Sequence, residues 1–241
     1  MIRNPRILRW MMLVSPSTVL HVGAHYGQDR RSYLLLGVKE IIWGEASKAA
    51  AAKLRARFPE DKVVEGIFWD KSGLQMNFFE SVETQNSSAI KPINLESFSL
   101  ISGLTVTVDE VMSQKSSSDM ILIVLDVQGA EMNVLKGATE TLKRAKYIVI
   151  EIALHSQGYE IAPTEKEFDT FMKNQGFTKS IDRVSHDGSY KDQLYIKNRN
   201  QKRLIEVVDY ITKVVRKRIH AIRFFHIPTS QYNCEICNAA R

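Results

Sequence analysis

Residues 121–144 read ILIVLDVQGAEMNVLKGATETLKR, and this stretch decides the fold. Ile121 to Val127 form a continuous apolar run, which in an α/β protein is typical of a central strand buried on both faces. Glu131 to Arg144 have the composition and spacing of a helix. The turn between them carries Asp126 at the strand end, where an α/β enzyme places its site. The stretch therefore predicts a buried strand that is joined to a helix through a functional turn.

The same pattern of strand, turn and helix precedes this stretch. It predicts strands at 17–22, 40–43 and 63–68, and helices at 29–36 and 47–58. Residues 74–80 alternate as in one arm of a hairpin. The polar stretch 84–102 has little periodicity and predicts loops over the site.

The C-terminal half adds a buried strand at 147–154, a helix at 164–174, and two strands at 178–184 and 190–197 that suit an antiparallel edge pair. Strands that alternate with helices at this spacing predict a Rossmann-like α/β fold. Its sheet is doubly wound and mainly parallel, and it binds ligands at the carboxyl ends of the strands. We predict one domain at 1–198 and a basic helical tail at 199–241.

Charge is unevenly distributed over the 241 residues. The formal net charge is +6, and residues 199–241 hold nine Lys or Arg against three acids, so residues 1–198 are neutral. A nucleic-acid enzyme more often carries its basic charge around the active site, so we expect no nucleic-acid partner. The tail reads as a basic amphipathic helix. We expect it to pack on its own domain or on a partner subunit of a homo-oligomer, with peripheral membrane contact as the alternative.

The two cysteines, Cys234 and Cys237, form a single C-x-x-C near the end of the sequence. They offer no disulfide framework for the fold, which is typical of a reducing compartment. No segment approaches the length of a membrane span. The sequence therefore predicts a cytoplasmic protein.

A glycine turn and an acid point to an adenosine-containing cofactor. Gly23 and Gly27 bracket the turn after the first strand with the spacing G-x-x-x-G. A dinucleotide fingerprint, G-x-G-x-x-G, needs a middle glycine to make room for pyrophosphate, and that glycine is missing here. Glu45 ends the second strand, where a carboxylate can accept hydrogen bonds from both hydroxyls of a ribose. The alternatives are a glycine turn that serves packing and an exposed acid that begins a helix.

Leu125 to Ala138 resemble the FkbM family of S-adenosylmethionine-dependent methyltransferases, whose pattern here is D-x-E-G-A-E-x-x-x-L-x-G-A. The resemblance runs in the same order over roughly residues 17–198. Gln128 departs from it, because the family usually has Glu at this position. Six further segments are similar to family motifs: Val22–Gly27, Glu45–Ala46, Asp70–Gly73, Asn86–Ser88, Thr107–Glu110 and Glu151–Ile152.

The resemblance implies an O-methyltransferase that acts on a hydroxyl of a sugar, a glycan or another natural product. It implies that the following residues bind S-adenosylmethionine: Gly23, Ala24, His25, Gly27, Glu45, Ala46, Ser87 and Asp126.

The chemistry depends mainly on aligning the acceptor oxygen with the activated methyl group, and a base within hydrogen-bond reach would help. His155, at the end of the fifth predicted strand, is the first candidate, with a surface or capping histidine as the alternative. Asp126 and Glu131 are further candidates, either as the base or beside a divalent cation that lowers the pKa of the acceptor. No group of residues has a spacing that identifies a metal site.

Two other functions stay open on the sequence. One is an NAD-type oxidoreductase, although no Tyr-x-x-x-Lys signature is present. The other is a non-catalytic module that binds a cofactor or glycan while its tail binds a membrane or partner, and Gln128 is the only feature that favours it.

Overall fold

The computed structural model describes Ile7, Met11 and residues 15–81, 86–116, 119–154, 163–185 and 188–197. His155 and the whole tail, with Cys234 and Cys237, lie outside the described residues. The predicted domain boundary at 198 and the predicted amphipathic helix therefore stay predictions. Within the described residues, every helix is too short or too polar to cross a bilayer.

Ten strands and six helices follow one another in the described residues. The strands are β1 (Thr18–Val22), β2 (Glu40–Glu45), β3 (Lys62–Glu65), β4 (Ile67–Phe68), β5 (Gln75–Ser81), β6 (Phe98–Val106), β7 (Ile121–Leu125), β8 (Tyr147–Ala153), β9 (Thr178–Val184) and β10 (Tyr190–Ile196). The helices are α1 (Arg30–Leu35), α2 (Lys48–Arg57), α3 (Val108–Met112), α4 (Glu131–Lys136), α5 (Thr139–Arg144) and α6 (Glu165–Asn174).

Seven strands form the main sheet in the order β3-β2-β1-β7-β8-β10-β9. The five strands from β3 to β8 in this order run parallel, and β10 is antiparallel to both β8 and β9. The strand order reverses at β1, because β2 and β3 extend to one side of it and β7 to the other. Open α/β sheets bind ligands outside the carboxyl ends of their strands at such a reversal. The predicted doubly wound, mainly parallel sheet with an antiparallel edge pair is confirmed.

β7 is the most deeply buried strand of the site. All five of its side chains are at most 1% exposed, as the continuous apolar run predicts. It pairs with β1 on one side and with β8 on the other. Burial of each large aliphatic side chain contributes about 1.5–3 kcal/mol, so the core fixes the strand end at which Asp126 lies.

Two predicted elements are divided in the structure, and both divisions coincide with glycine. The predicted strand 63–68 ends in the main sheet at Glu65, and the chain passes through Gly66 to β4, which pairs with β6 in a small second sheet. The predicted helix 131–144 is two helices separated at Gly137. A Cβ atom at Gly137 would lie 2.1 Å from the carbonyl oxygen of Trp69, so the close approach of the two backbones requires glycine there.

The predicted loop region 84–102 is wrong at its C-terminal end. β6 begins at Phe98 and pairs antiparallel with β5 from Phe98 to Leu104. Residues 98–102 carry no alternating hydrophobic pattern, because apolar side chains such as Leu100 and Leu104 lie on an exposed face of β6, at 60% and 61% exposure. The predicted hairpin arm is correct, and its partner strand is β6.

Candidate active site

A cavity of 440 Å³ lies at the carboxyl ends of β1, β2, β7 and β8. Small-molecule sites are typically about 300–1,000 Å³, so the cavity has the size of a cofactor site. Its wall comprises the turns after these strands, part of the loop 86–89, and Ser189 and Tyr190 at the start of β10. It brings together most of the predicted site residues, namely Gly23, Ala24, His25, Glu45, Ala46, Ser87, Asp126 and Glu131.

The turn after β1 is held by backbone hydrogen bonds to the strands on both sides. The N–H groups of Gly23 and Ala24 donate to the carbonyl oxygen of Gly44 at 2.9 and 3.2 Å, and the N–H of Asp126 donates to Val22 at 3.0 Å. Gly23 has φ +79°, and a Cβ atom there would lie 1.8 Å from the Asp126 carbonyl oxygen. Only glycine permits this approach between the turn and the end of β7.

Gly27 differs from the other predicted cofactor residues because it is not among the described residues that line the cavity. Its φ is +67°, and a Cβ atom there would lie 2.6 Å from the ring of Phe58. Its glycine identity therefore has a packing cause. The predicted role of Gly27 in cofactor binding stays a prediction.

Glu45 ends β2 and is only 7% exposed. Its Oε2 accepts a hydrogen bond from the N–H of His25 at 2.7 Å, and its Oε1 accepts one from the N–H of Ser47 at 2.9 Å. The backbone of His25 lies in the left-handed region, with φ 48°. Burial raises the pKa of Glu45 to about 7, although the backbone hydrogen bonds favour the charged form. A carboxylate offers about four acceptor positions, so Glu45 retains capacity for a ligand hydroxyl.

Gln128 joins two carboxyl groups that come from neighbouring strands. Its Nε2 donates to Oδ1 of Asp126 at 2.8 Å and to Oε1 of Glu151 at 3.2 Å. The fully buried Ser88 hydroxyl donates to the carbonyl oxygen of Gln128 at 2.8 Å, which holds this residue at φ 53°. Burial and the nearby Asp126 charge raise the pKa of Glu151 to about 9, and burial raises that of Asp126.

Glu131 points back into the turn that precedes its own helix. Its carboxyl oxygens accept hydrogen bonds from the N–H groups of Val127 and Gly129, each at 3.0 Å, and it is 3% exposed. Burial raises the pKa of Glu131 to about 7. These contacts stabilise the turn. The predicted catalytic role of Glu131 stays a prediction.

Several residues of the site were not among the sequence candidates. Glu151 carries the same signal as Asp126, an acid at the end of a buried strand, and could have been chosen on that ground. Asp29 lies beside the glycine turn and also lines the cavity. Ser189 and Tyr190 have no local signal, because only the antiparallel pairing of β10 with β8 brings them to the site.

The family assignment follows from the sequence model of the Methyltransferase FkbM domain, which matches residues 21–179. The matched range begins just before the glycine turn and contains Glu45, Asp126, Gln128 and Glu151. The chain belongs to the FkbM methyltransferase family. The resemblance noted in the sequence is thereby confirmed, and methyl transfer from S-adenosylmethionine is the class of activity that the family supports.

Solved structures similar to this chain include two methyltransferases and a protein named TehB. Magnesium protoporphyrin IX methyltransferase from Synechocystis PCC 6803 has 9% identity and a TM-score of 0.45 over 80% of this chain and 77% of its own. A TehB-like SAM-dependent methyltransferase from Corynebacterium glutamicum has 12% identity and a TM-score of 0.44 over 79% and 86%. TehB from Haemophilus influenzae has 11% identity and a TM-score of 0.48 over 81% and 62%. Identities this low transfer no substrate to this chain. No curated protein sequence matches it.

The cavity of this FkbM domain is acidic. Five carboxyl groups line it, and the described lining residues include no Lys or Arg. The five are Asp29, Glu45, Asp126, Glu131 and Glu151. His21, which also lines it, is buried, and desolvation lowers its pKa to about 4, so its ring is neutral near pH 7. The site therefore favours a neutral or cationic ligand over an anionic one.

A divalent cation is not supported at this site. The described part of the chain holds no group of three or more His, Cys, Asp or Glu side chains that could bind a metal ion. The carboxyl group of Asp126 accepts a hydrogen bond from the Gln128 amide, and that of Glu131 accepts hydrogen bonds from backbone N–H groups.

Proposed function

We propose that this FkbM domain transfers the methyl group of S-adenosylmethionine to a hydroxyl of a sugar, a glycan or another neutral natural-product acceptor. The observation that carries the proposal is the cavity at the strand reversal. It has a buried carboxylate at one end, five carboxyl groups in its wall and no Lys or Arg among its described lining residues.

This charge distribution suits S-adenosylmethionine better than NAD. An anionic pyrophosphate would meet like charges from the carboxyl groups and has no described Lys or Arg in the wall to neutralise it. A cationic sulfonium gains from the same charges. The turn also lacks the middle glycine that makes room for a pyrophosphate, which is a second reason against a dinucleotide.

The position of each residue in the cavity indicates its role in the proposed reaction. Glu45 would accept hydrogen bonds from the ribose hydroxyls, and the turn at Gly23 and Ala24 would lie against the cofactor without obstructing it. S-adenosylmethionine, when bound, supplies a methyl group that is already activated for transfer. Asp126 directly follows β7, and Glu151 lies on β8, across β1 and β7 from Glu45. There the two acids would orient an acceptor hydroxyl.

His155 remains the first candidate for the base that receives the proton of the acceptor hydroxyl, and it lies outside the described residues. The chain just before it borders the cavity, because Ala153 lines the wall and the N–H of Leu154 donates to the carbonyl oxygen of Ser189 at 3.0 Å. Glu151 is the alternative base among the described residues. Either group would act on an acceptor that is already aligned.

The acceptor class is supported by the polar groups in the cavity wall. Asn86, Ser87, Ser189 and Tyr190 line it together with Glu151. Hydroxyl, amide and carboxyl groups are suited to a polyhydroxylated acceptor, whereas a phosphate-rich acceptor such as nucleic acid would be repelled. A cytoplasmic location and a tail that binds a membrane surface, a partner or a second copy of the chain belong to the same proposal.

The proposal is tested by methyl transfer from labelled S-adenosylmethionine. The protein is incubated with a panel of neutral oligosaccharides and glycosides, and in parallel with RNA and with acidic sugars. We expect label in a neutral hydroxylated acceptor, with one equivalent of S-adenosylhomocysteine formed per methyl transferred. Label only in RNA or in an amine would refute the acceptor class. Hydride transfer to NAD without any methyl transfer would refute the activity.

A further inference from the structure

Four carboxyl groups come from the elements around Gln128, and three of them, those of Asp126, Glu131 and Glu151, line the cavity. Asp126 follows β7, Glu151 lies on β8, Asp192 lies opposite Glu151 in the register of β10, and Glu131 begins α4. Asp192 is 7% exposed and Glu131 is 3% exposed. The adjacent Lys191 is bonded to Glu165 and Asp182, which do not line the cavity.

The group that bridges two of these acids is a neutral amide. Gln128 Nε2 donates to Asp126 and to Glu151 but carries no charge that would offset a second buried carboxylate. Burial and the charge of Asp126 both disfavour the ionised form of Glu151 and raise its pKa to about 9. The ligand-free cluster therefore keeps a proton near pH 7.

We infer that the Asp126, Gln128 and Glu151 cluster is a charge-dependent specificity determinant, which loses a proton when a cationic ligand enters and so favours S-adenosylmethionine over neutral S-adenosylhomocysteine. The inference rests on the proposed function, because it needs the sulfonium to enter this cavity. It goes beyond that function by assigning discrimination between cofactor and product to three named side chains.

Electrostatics gives the reason and the size of the effect. A neighbouring opposite charge lowers the pKa of a carboxyl group by about 1 to 3, so a sulfonium near the cluster stabilises its second negative charge. The product has the same adenosine and amino acid parts but no sulfonium charge. The cluster consequently keeps its proton when the product is bound, and the product gains less.

Calorimetric titration of the full chain measures the released proton directly. S-adenosylmethionine and S-adenosylhomocysteine are each titrated at pH 7.5 in phosphate and in Tris, whose ionisation enthalpies differ. We expect S-adenosylmethionine to release more protons than S-adenosylhomocysteine in the wild type. We expect Glu151→Gln to abolish this excess, because glutamine has the same shape but no proton to lose.

The pH dependence of affinity provides a second measurement. The dissociation constant of S-adenosylhomocysteine divided by that of S-adenosylmethionine should rise about threefold to sixtyfold from pH 6.5 to pH 8.5 in the wild type. It should rise much less in Glu151→Gln. Protons on the ligands contribute equally to both proteins, so the comparison cancels them. Glu140→Gln, which removes an exposed acid outside the cavity, is the matched control and should behave as the wild type.

The outcomes separate the inference from the proposed function. Binding of both ligands with equal proton release, or an excess release that survives in folded Glu151→Gln, overturns the inference alone. If neither ligand binds, the proposed function fails and the inference fails with it. Sinefungin, which carries an amine where the sulfonium stands, should release the extra proton as S-adenosylmethionine does. A response identical to that of S-adenosylhomocysteine would also contradict the inference.

Discussion

Replacing Gly23 by alanine tests whether the close approach of the glycine turn to β7 builds the site. Gly73 is the matched control, since its φ of +77° nearly equals the +79° of Gly23, while a Cβ atom at Gly73 meets nothing within 4 Å. Both substitutions incur the cost of a left-handed alanine, about 1–2 kcal/mol. Only Gly23→Ala also places a Cβ atom 1.8 Å from the carbonyl oxygen of Asp126.

The backbone at Gly23→Ala must move, and the hydrogen bonds that join the turn to β2 and β7 must weaken. An unsatisfied buried N–H or carbonyl group costs about 1–3 kcal/mol. We therefore expect a total loss of about 2–5 kcal/mol for Gly23→Ala, against about 1–2 kcal/mol for Gly73→Ala.

Urea unfolding followed by circular dichroism gives the two free energies, and calorimetry gives the affinity for S-adenosylhomocysteine. Gly23→Ala should lose most of this affinity, while Gly73→Ala should keep it. Equal destabilisation of the two variants, or wild-type affinity in Gly23→Ala, would refute the reasoning.

Four further predictions use the same assays. Glu45→Gln should weaken S-adenosylhomocysteine binding by about 1–3 kcal/mol, because an amide that faces two backbone N–H groups loses one acceptor position, and unchanged affinity in calorimetry would remove Glu45 from the site. The pKa of Glu151 is raised to about 9 in the folded state, so the wild type loses stability as the pH rises from 5 to 9, whereas Glu151→Gln does not. The free energy of unfolding of Glu151→Gln minus that of the wild type, measured in urea melts, should therefore increase over this range, and a constant difference would contradict the buried pair. His155→Ala should lower turnover about 100-fold in the methyl-transfer assay and leave cofactor affinity unchanged, whereas full activity would exclude it as the base. Deletion of residues 200–241 should preserve cofactor affinity and change the oligomeric state in light scattering, and loss of binding would assign the tail to the catalytic core.

The fold was largely predictable because its signals are local. The apolar run of β7 and the glycines at 23 and 27 mark a strand and a turn within a few residues of sequence. Ser47 and Thr164 were predicted at helix starts, and both side chains accept an N-cap hydrogen bond. The division at Gly137 was not predictable, because its cause is the distant carbonyl group of Trp69.

Without the family resemblance, the site was predictable only at the turns and acids that directly follow a strand. Glu45 and Asp126 follow directly from their strands, and the cavity contains both. The link between Asp126 and Glu151 depends on the left-handed backbone of Gln128, which is held by Ser88 from a loop about 40 residues earlier in the sequence. A contact between residues this far apart in the sequence leaves no periodic pattern, so neither residue propensity nor motif spacing predicts it.

Ligand-dependent thermal unfolding tests the central claim, that this cavity binds the S-adenosyl cofactor, most directly. The full chain is melted with S-adenosylhomocysteine, with S-adenosylmethionine and with NAD, each over a concentration series. A ligand that binds only the native state raises the midpoint progressively with concentration. The structure predicts this rise with both S-adenosyl compounds and none with NAD. A rise with NAD alone, or no rise with either S-adenosyl compound at millimolar concentration, would contradict it.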